Sequence, residues 1–157
     1  MGGLFGVISK EDCVSDLFFG TDYHSHLGTK RGGIAVKDTD RFIRFIHNIE
    51  NAQFRSKFED DILKMHGNKG IGVISDYEDQ PVLIQSHLGN YSIVTVGIIQ
   101  NADAIVKDIF GQGAVHFSEM SEGEVNPTEL VAAIINQERT FEDGIKSVQE
   151  KIEGSCS

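Results

Sequence analysis

The residues with chemistry to offer are six histidines, two cysteines, a glycine-flanked pair of cations and one acidic run. His24, His26, His47, His66, His87 and His116 are side chains that a zinc ion accepts as ligands. No His-Glu-x-x-His or paired Cys/His spacing joins them, so they read as surface and turn histidines and no metal is expected. Cys13 falls in a helical stretch, where a free cysteine usually behaves as a small buried hydrophobe. Cys156 sits beside the last residue, in what resembles a core strand. Gly28, Gly32 and Gly33 around Lys30 and Arg31 offer an anion backbone N–H groups and positive charge. They lack the G-x-x-x-x-G-K-[ST] spacing of a phosphate loop, and a plain turn is expected. Ser118 to Glu124, with carboxylates at Glu119, Glu122 and Glu124, reads as a solvated acidic loop. Calcium would require more oxygen ligands at regular spacing.

The stretch that organises the chain is Met1-Gly2-Gly3-Leu4-Phe5-Gly6-Val7-Ile8, a glycine pair opening directly into an apolar run. Leu4, Phe5, Val7 and Ile8 predict a buried strand, and Gly6 within it marks a close approach by another backbone or a ligand. Termini are normally frayed and solvated, so a terminus inside a core strand makes sense when it sits in a functional pocket. An ordinary first strand is the plainer alternative.

The elements that must position these residues follow in order. Ser9 to Asp12 predicts the start of a helix to about Leu27, with Val14, Leu17, Phe18 and Leu27 on one face and Gly20 a local weakness. Ile34 to Val36 and Phe42 to Ile46 predict a hairpin across Asp38 to Asp40. Ser56-Lys57-Phe58-Glu59 has the form of a capping box opening a helix to about Met65. Gly70 to Ile74 reads as a buried strand, and Val82 to Ile84 with Tyr91 to Ile99 as a hairpin through Gly89-Asn90. Asn101 predicts the cap of a helix carrying Ile105, Val106 and Ile109. Asn126-Pro127-Thr128-Glu129 is a strong helix start, and Thr140 to Asp143 begins a last helix ending near Gly154. Antiparallel hairpins with segregated helices indicate an α+β fold.

With 157 residues, one domain is expected, running from 1 to 157. The 39% apolar and 24% charged content is that of a globular protein. A net charge of −10 and a pI near 4.9 argue against nucleic acid or an anionic membrane as partner. No apolar run approaches the roughly 20 residues of a membrane span. Two cysteines and no signal peptide fit a reduced, cytoplasmic protein.

The opening Met1-Gly2-Gly3-Leu4-Phe5-Gly6 resembles the Met-Cys-Gly-Ile-Phe-Gly start of class II glutamine amidotransferases, which are N-terminal nucleophile hydrolases. Further stretches are similar to the amidotransferase domain of the amidophosphoribosyltransferase family. Gly20 to Ile34 resembles G-L-x-x-L-Q-H-R-G-Q-E-x-x-G-I, with His26, Gly28, Gly33 and Ile34 coinciding and Leu27 in place of Arg. Gly70-Ile71-Gly72 is similar to G-[IL]-G-H-[TV]-R-Y, and Gln80-Pro81 to the Q-P that follows. Tyr91 to Asn101 resembles the strand ending A-H-N-G-N-L-x-N, Thr128-Glu129 the D-[ST]-E before a helix, and Gly154-Ser155 the G-[AS]-Y-S strand.

The resemblance implies a four-layer αββα sandwich of antiparallel sheets, here C-terminally incomplete and a fragment of a longer chain. In the family the N-terminal Cys attacks the glutamine amide; that position is Gly2, so no catalytic residue is expected. The Arg that clamps the glutamine carboxylate falls at about Ser75, the oxyanion Asn at Val96 with Gly97 beside it, and the acid that holds the α-amine near Pro127. Asp76 and Asn126 are the alternatives one residue away. Loss of all these roles together implies a glutaminase-dead domain with a regulatory, scaffolding or ligand-sensing role. An active glutamine- or ammonia-dependent amidophosphoribosyltransferase, with its transferase part elsewhere, and a stand-alone binding module are the alternatives. The expected partners are a C-terminal phosphoribosyltransferase-like domain or another subunit, a small-molecule ligand and further copies of the chain. No cofactor is expected.

Overall fold

Strand β1 (Gly3–Ile8) is not the fully buried strand that its apolar run predicts: Phe5 and Val7 pack against the core, while Leu4 and Ile8 alternate onto an exposed face. A computed structural model describes residues 2–27, 30–39, 41–113, 116–118, 120–121 and 123–157. In it β1 pairs antiparallel with β4 (Lys69–Ser75), which pairs with β2 (Arg31–Asp38), which closes a hairpin with β3 (Arg41–Asn48). The sheet order is β1-β4-β2-β3.

Helix α1 (Val14–Tyr23) lies on the outer face of this sheet, burying Val14, Leu17, Phe18 and Thr21. Glycines make the approach close. A Cβ at Gly20 would enter the Phe5 ring, one at Gly70 would stand 2.7 Å from Leu17 Cδ2, and one at Gly72 would collide with Thr21 Oγ1. Gly20 is thus a packing position rather than a weak point of the helix. Cys13, Leu17, Ile34, Phe54, Phe58 and Ile74 form the core of this half.

The second half supplies short strands and the remaining helices. Strands β5 (Val82–Ser86) and β6 (Gly89–Ile93) form one hairpin, and β7 (Gly97–Ile99) pairs with the terminal β10 (Gly154–Cys156). A two-residue ladder joins β8 (Met120–Ser121) to β9 (Glu124–Val125). Helices α3 (Ala102–Gly111), α4 (Pro127–Ile135) and α5 (Phe141–Lys151) pack a second core around Ile109, Leu130 and Ile134, against which Ile93 and Ile99 rest. The inner face of the first sheet meets the short strands: Gly33 abuts the Gln80 carbonyl, and Arg44 Nη1 donates to the Pro81 carbonyl at 2.9 Å. The layers are helix, sheet, sheet, helix, the α+β sandwich that the sequence predicts.

Several local expectations give way to tertiary contacts. The first helix stops at Tyr23, and Ser25–Leu27 continues only as a 3-10 turn. Gly32 and Gly33 lie in β2 and not in a turn, while Gly28 lies outside the described residues. The proposed Ser56 box does not open a helix, because α2 (Phe54–Phe58) begins two residues earlier. Phe54 and Phe58 are 1% and 0% exposed with ring centroids 4.3 Å apart, and burying that i,i+4 pair outweighs a surface cap. The long strand expected from Tyr91 to Ile99 breaks at Thr95, whose N–H and C=O are both taken by the Gln80 side chain. Asn101 precedes α3 without capping it. Its amide donates to the Lys151 carbonyl and its oxygen accepts the Glu153 N–H, tying α3 to the end of α5. The starts of α4 and α5 are as predicted: Asn126 accepts from the Thr128 N–H, and Thr140 accepts from the Asp143 N–H.

Candidate functional site

The start of β1 opens into a cavity of 320 Å³ between the two sheets. Gly2 and Ser75 form one wall, Val96 and Gly97 the facing one, and Ser155 and Ser157 close the end. Four positions that the resemblance assigned to one pocket therefore share one cavity. Pro127 does not: it stands at the first turn of α4, outside the lining. Its neighbour Asn126, 0% exposed, donates to the Asp79 carbonyl and accepts from Thr128, so both ends of its amide hold backbone in place.

Each lining group has a defined local reason. Gly2 has no room for a side chain, because a Cβ there would land on the Ile74 carbonyl oxygen. Ser75 is 4% exposed and donates to the Glu78 carbonyl at 2.8 Å, so its hydroxyl proton is spent on a turn. Val96 exchanges both backbone hydrogen bonds with Ser157, each at 2.9 Å. The alternation of an antiparallel ladder then leaves the next residue, Gly97, with its N–H turned away from β10. Gly97 must be glycine, since a Cβ would strike the Ser155 carbonyl.

The residues that hold this cavity in shape carry no chemical signal in the sequence. Gln80 is 1% exposed; its Nε2 donates to the Thr95 carbonyl at 2.9 Å and its Oε1 accepts the Thr95 N–H at 2.7 Å. Thr95 Oγ1 lies 2.6 Å from Thr128 Oγ1, which is fully buried at the start of α4. The Gln80-Pro81 and Thr128-Glu129 motifs were legible as motifs, but a fully paired buried amide is visible only in three dimensions.

The charge of the cavity decides what it can hold. Asp76 and Glu78 line it, and among the described residues no lysine or arginine does. A carboxylate ligand entering here meets like charge without a guanidinium to form a bidentate pair. No lining residue carries a thiol, and Cys13 lies elsewhere, under α1 with 0% exposure. Burial and the neighbouring Asp12 push its thiol up, away from the reactive thiolate. Cys156 is on exposed strand β10, not in a core strand.

Three of the six histidines hold structural contacts. His47 Nε2 lies 2.5 Å from Asp61 Oδ2 and its ring stands edge-on to Phe58; His66 Nδ1 lies 2.8 Å from Asp12 Oδ2; His87 Nε2 lies 2.8 Å from the Glu138 carbonyl. Among the described residues no three His, Cys, Asp or Glu side chains form a group that could hold a metal. Of the two glycine-flanked cations, Arg31 pairs with Asp79 at 3.1 Å. In the acidic loop, Glu119 and Glu122 lie outside the described residues, while Ser118 donates from its N–H and hydroxyl to Glu129. Among the described residues no helix is long and apolar enough to cross a membrane.

Comparison with known proteins places this geometry in a lineage. Amidophosphoribosyltransferase from Methanocaldococcus jannaschii is 26% identical over all of this chain. The chain is homologous to the N-terminal glutamine amidotransferase domain of amidophosphoribosyltransferase. Its fold is the N-terminal nucleophile hydrolase fold of glutamine phosphoribosylpyrophosphate amidotransferase. The B. subtilis enzyme, solved with ADP and GMP, superimposes with a TM-score of 0.80 at 22% identity over 99% of the chain. A structure described as the allosteric regulatory enzyme of purine biosynthesis gives 0.81 at 20% identity over the whole chain. No family model matches the sequence. The chain spans 35% of the M. jannaschii protein and 34% of each solved chain, about a third of their length.

Proposed function

We propose that residues 1–157 are one amidotransferase-like domain that no longer hydrolyses glutamine and that serves a regulatory, scaffolding or ligand-sensing role. The observation that carries the reading is position 2: the residue aligned with the family's nucleophile is a glycine, packed so that any side chain collides with the Ile74 carbonyl. The rest of the cavity agrees in chemistry. Ser75 spends its hydroxyl on a turn, Val96 offers no side-chain donor, and the acidic lining disfavours the carboxylate of an amino acid. Gly97 alone keeps a backbone N–H off the ladder. Coverage of about a third of the relatives' length is consistent with a phosphoribosyltransferase-like domain or subunit as the partner; a cytoplasmic homo-oligomer completes the proposal.

That same coverage favours one competing reading, an active amidophosphoribosyltransferase that draws on glutamine or ammonia through parts outside this chain. Ammonia release from glutamine by the longest soluble form, beside phosphoribosylamine formation from ammonium salts, separates the two. The proposal expects no glutamine turnover above blank. Glutamine turnover would overturn it, and product from ammonium salts alone would locate the remaining chemistry in the partner domain.

A further inference from the structure

A second cavity, of 480 Å³, lies away from the Gly2 site, between the inner face of the first sheet and strand β6. The register of the sheet defines its walls. One row across the strands runs Ile8, Lys69, Lys37 and Phe42, so the two lysines are direct cross-strand partners flanked by apolar side chains. The adjacent row on the same face runs Gly6, Ile71, Ala35 and Arg44; the first three form an apolar floor, and Arg44, outside the cavity lining, reaches the Pro81 carbonyl. A Cβ at Gly6 would meet nothing within 4 Å, so the floor is open there. The opposite wall is β6, where Tyr91 turns its hydroxyl to Asn136, the residue that follows α4. Strand alternation therefore turns Ser92 the other way, toward the first sheet.

Two features of this cavity favour an anionic guest, a pair of cross-strand ammonium groups at its rim and a buried hydroxyl without a partner. Like charges directly opposite one another on adjacent strands repel. Among the described residues neither Lys37 nor Lys69 has a carboxylate within ion-pair distance; Lys37 lies over the Phe42 ring, 5.0 Å from its centroid. The Ser92 hydroxyl oxygen is buried with no hydrogen-bond partner, the sole such side-chain atom among the described residues. An unpaired buried hydroxyl and an unneutralised pair of ammonium groups converge on one apolar hollow of the size that binds small molecules.

We propose that this cleft binds a small amphipathic carboxylate, an apolar body carrying one anionic head. The head lies between the Lys37 and Lys69 ammonium groups, the tail lies on Gly6, Ile71 and Ala35, and the Ser92 hydroxyl donates to a ligand oxygen. The site is independent of the Gly2 cavity and of whether that cavity turns over glutamine.

The test is a calorimetric titration of the full-length protein with octanoate, in parallel with octylammonium (same tail, opposite charge) and inorganic phosphate (anion, no tail). Saturable binding of one octanoate per chain, with neither control binding, is the expected result. Lys37→Met with Lys69→Met removes two charge-assisted contacts and should weaken octanoate by at least about tenfold, while Ser92→Ala weakens it by a few-fold. Raising the salt concentration should weaken binding to the native protein and leave the lysine-free variant unchanged. The Lys37→Gln and Lys69→Gln pair, with circular dichroism on each variant, guards against a folding artefact. Octylammonium binding as well as octanoate, phosphate binding as tightly, or undiminished affinity in the folded double variants would each overturn the proposal.

Discussion

Replacing Gly2 by Cys, with the initiator Met removed, should not create a glutaminase. On the proposed reading, three of the family's roles remain empty in the variant: the carboxylate clamp at Ser75, the oxyanion side chain at Val96 and the amine-binding acid near Pro127. A guanidinium clamp makes two charge-assisted hydrogen bonds to a carboxylate, each contributing about 1.5–3 kcal/mol. Its absence at Ser75 therefore costs glutamine binding about 3–6 kcal/mol, or roughly a factor of 10² to 10⁴. The missing oxyanion side chain at Val96 costs about 10² to 10³ in turnover. Together with the absent amine-binding acid, a further charge-assisted contact of about 1.5–3 kcal/mol, these lower a competent kcat/KM of about 10⁴–10⁸ M⁻¹s⁻¹ by about five orders or more, to about 10³ M⁻¹s⁻¹ at most. The new Cβ also lands on the Ile74 carbonyl, so β1 must shift at an overpacking cost of about 1–3 kcal/mol. The assay is ammonia release at high glutamine, with Met removal confirmed by mass and folding by thermal melt. A triple variant adding Ser75→Arg and Val96→Asn should exceed the single one. Turnover by the single variant above about 10³ M⁻¹s⁻¹ would refute the reasoning, since a pocket so depleted cannot sustain it.

Further outcomes follow from the packing. Gly72→Ala should destabilise the domain by about 1–3 kcal/mol, because its Cβ meets the buried Thr21 hydroxyl, which itself donates to the Leu17 carbonyl at 2.7 Å. In a double-mutant melt Thr21→Ala should recover part of that loss, and simple additivity would exclude the contact. A thiol reagent should label one cysteine per native chain, the exposed Cys156, and reach Cys13 only on unfolding; rapid labelling of both would contradict the buried Cys13. Burial pushes the Asp12 carboxyl up, but hydrogen bonds from the Gly67 and Val14 N–H groups and from His66 outweigh it and leave its pKa below the ordinary value. Its contribution is therefore complete above about pH 4 and is lost as the pH falls through the lower folded-state pKa. Asp12→Asn should melt below the native protein at pH 7, with the gap closing under acid; a pH-independent gap would show that the charge plays no part. Asn101→Ala frees the Lys151 carbonyl and the Glu153 N–H and should lower stability by about 1–2 kcal/mol, with faster amide exchange along β10; unchanged exchange there would discount the tether.

How much of this was readable beforehand depended on how local the cause was. The Asn126-Pro127 and Thr140 starts follow from side-chain oxygens capping the N–H groups of their own turn, and the chain states them completely. The presence of strand β1 and the hairpin of β2 and β3 are likewise local, but the exposed face of β1, with Leu4 and Ile8, was not legible because its run is apolar on both faces. The Gly2, Ser75, Val96 and Gly97 grouping was accessible only through resemblance, since these positions come from distant parts of the chain.

What the chain could not state were contacts whose partners are far apart. Ser56 had a better cap than Gln53, yet the helix begins at Phe54, because the Phe54 and Phe58 rings reach a core that other elements build. Tyr91 to Ile99 looked like one strand until the Gln80 amide, from before β5, took both polar groups of Thr95. Glycines 2, 33, 72 and 97 carry no sign of what they face; the Ile74 carbonyl, the Gln80 carbonyl, the Thr21 hydroxyl and the Ser155 carbonyl stand where their side chains would be. The periodicity of a sequence encodes which way a residue points. What it points at depends on chain closure, and that is set by the folded layers together.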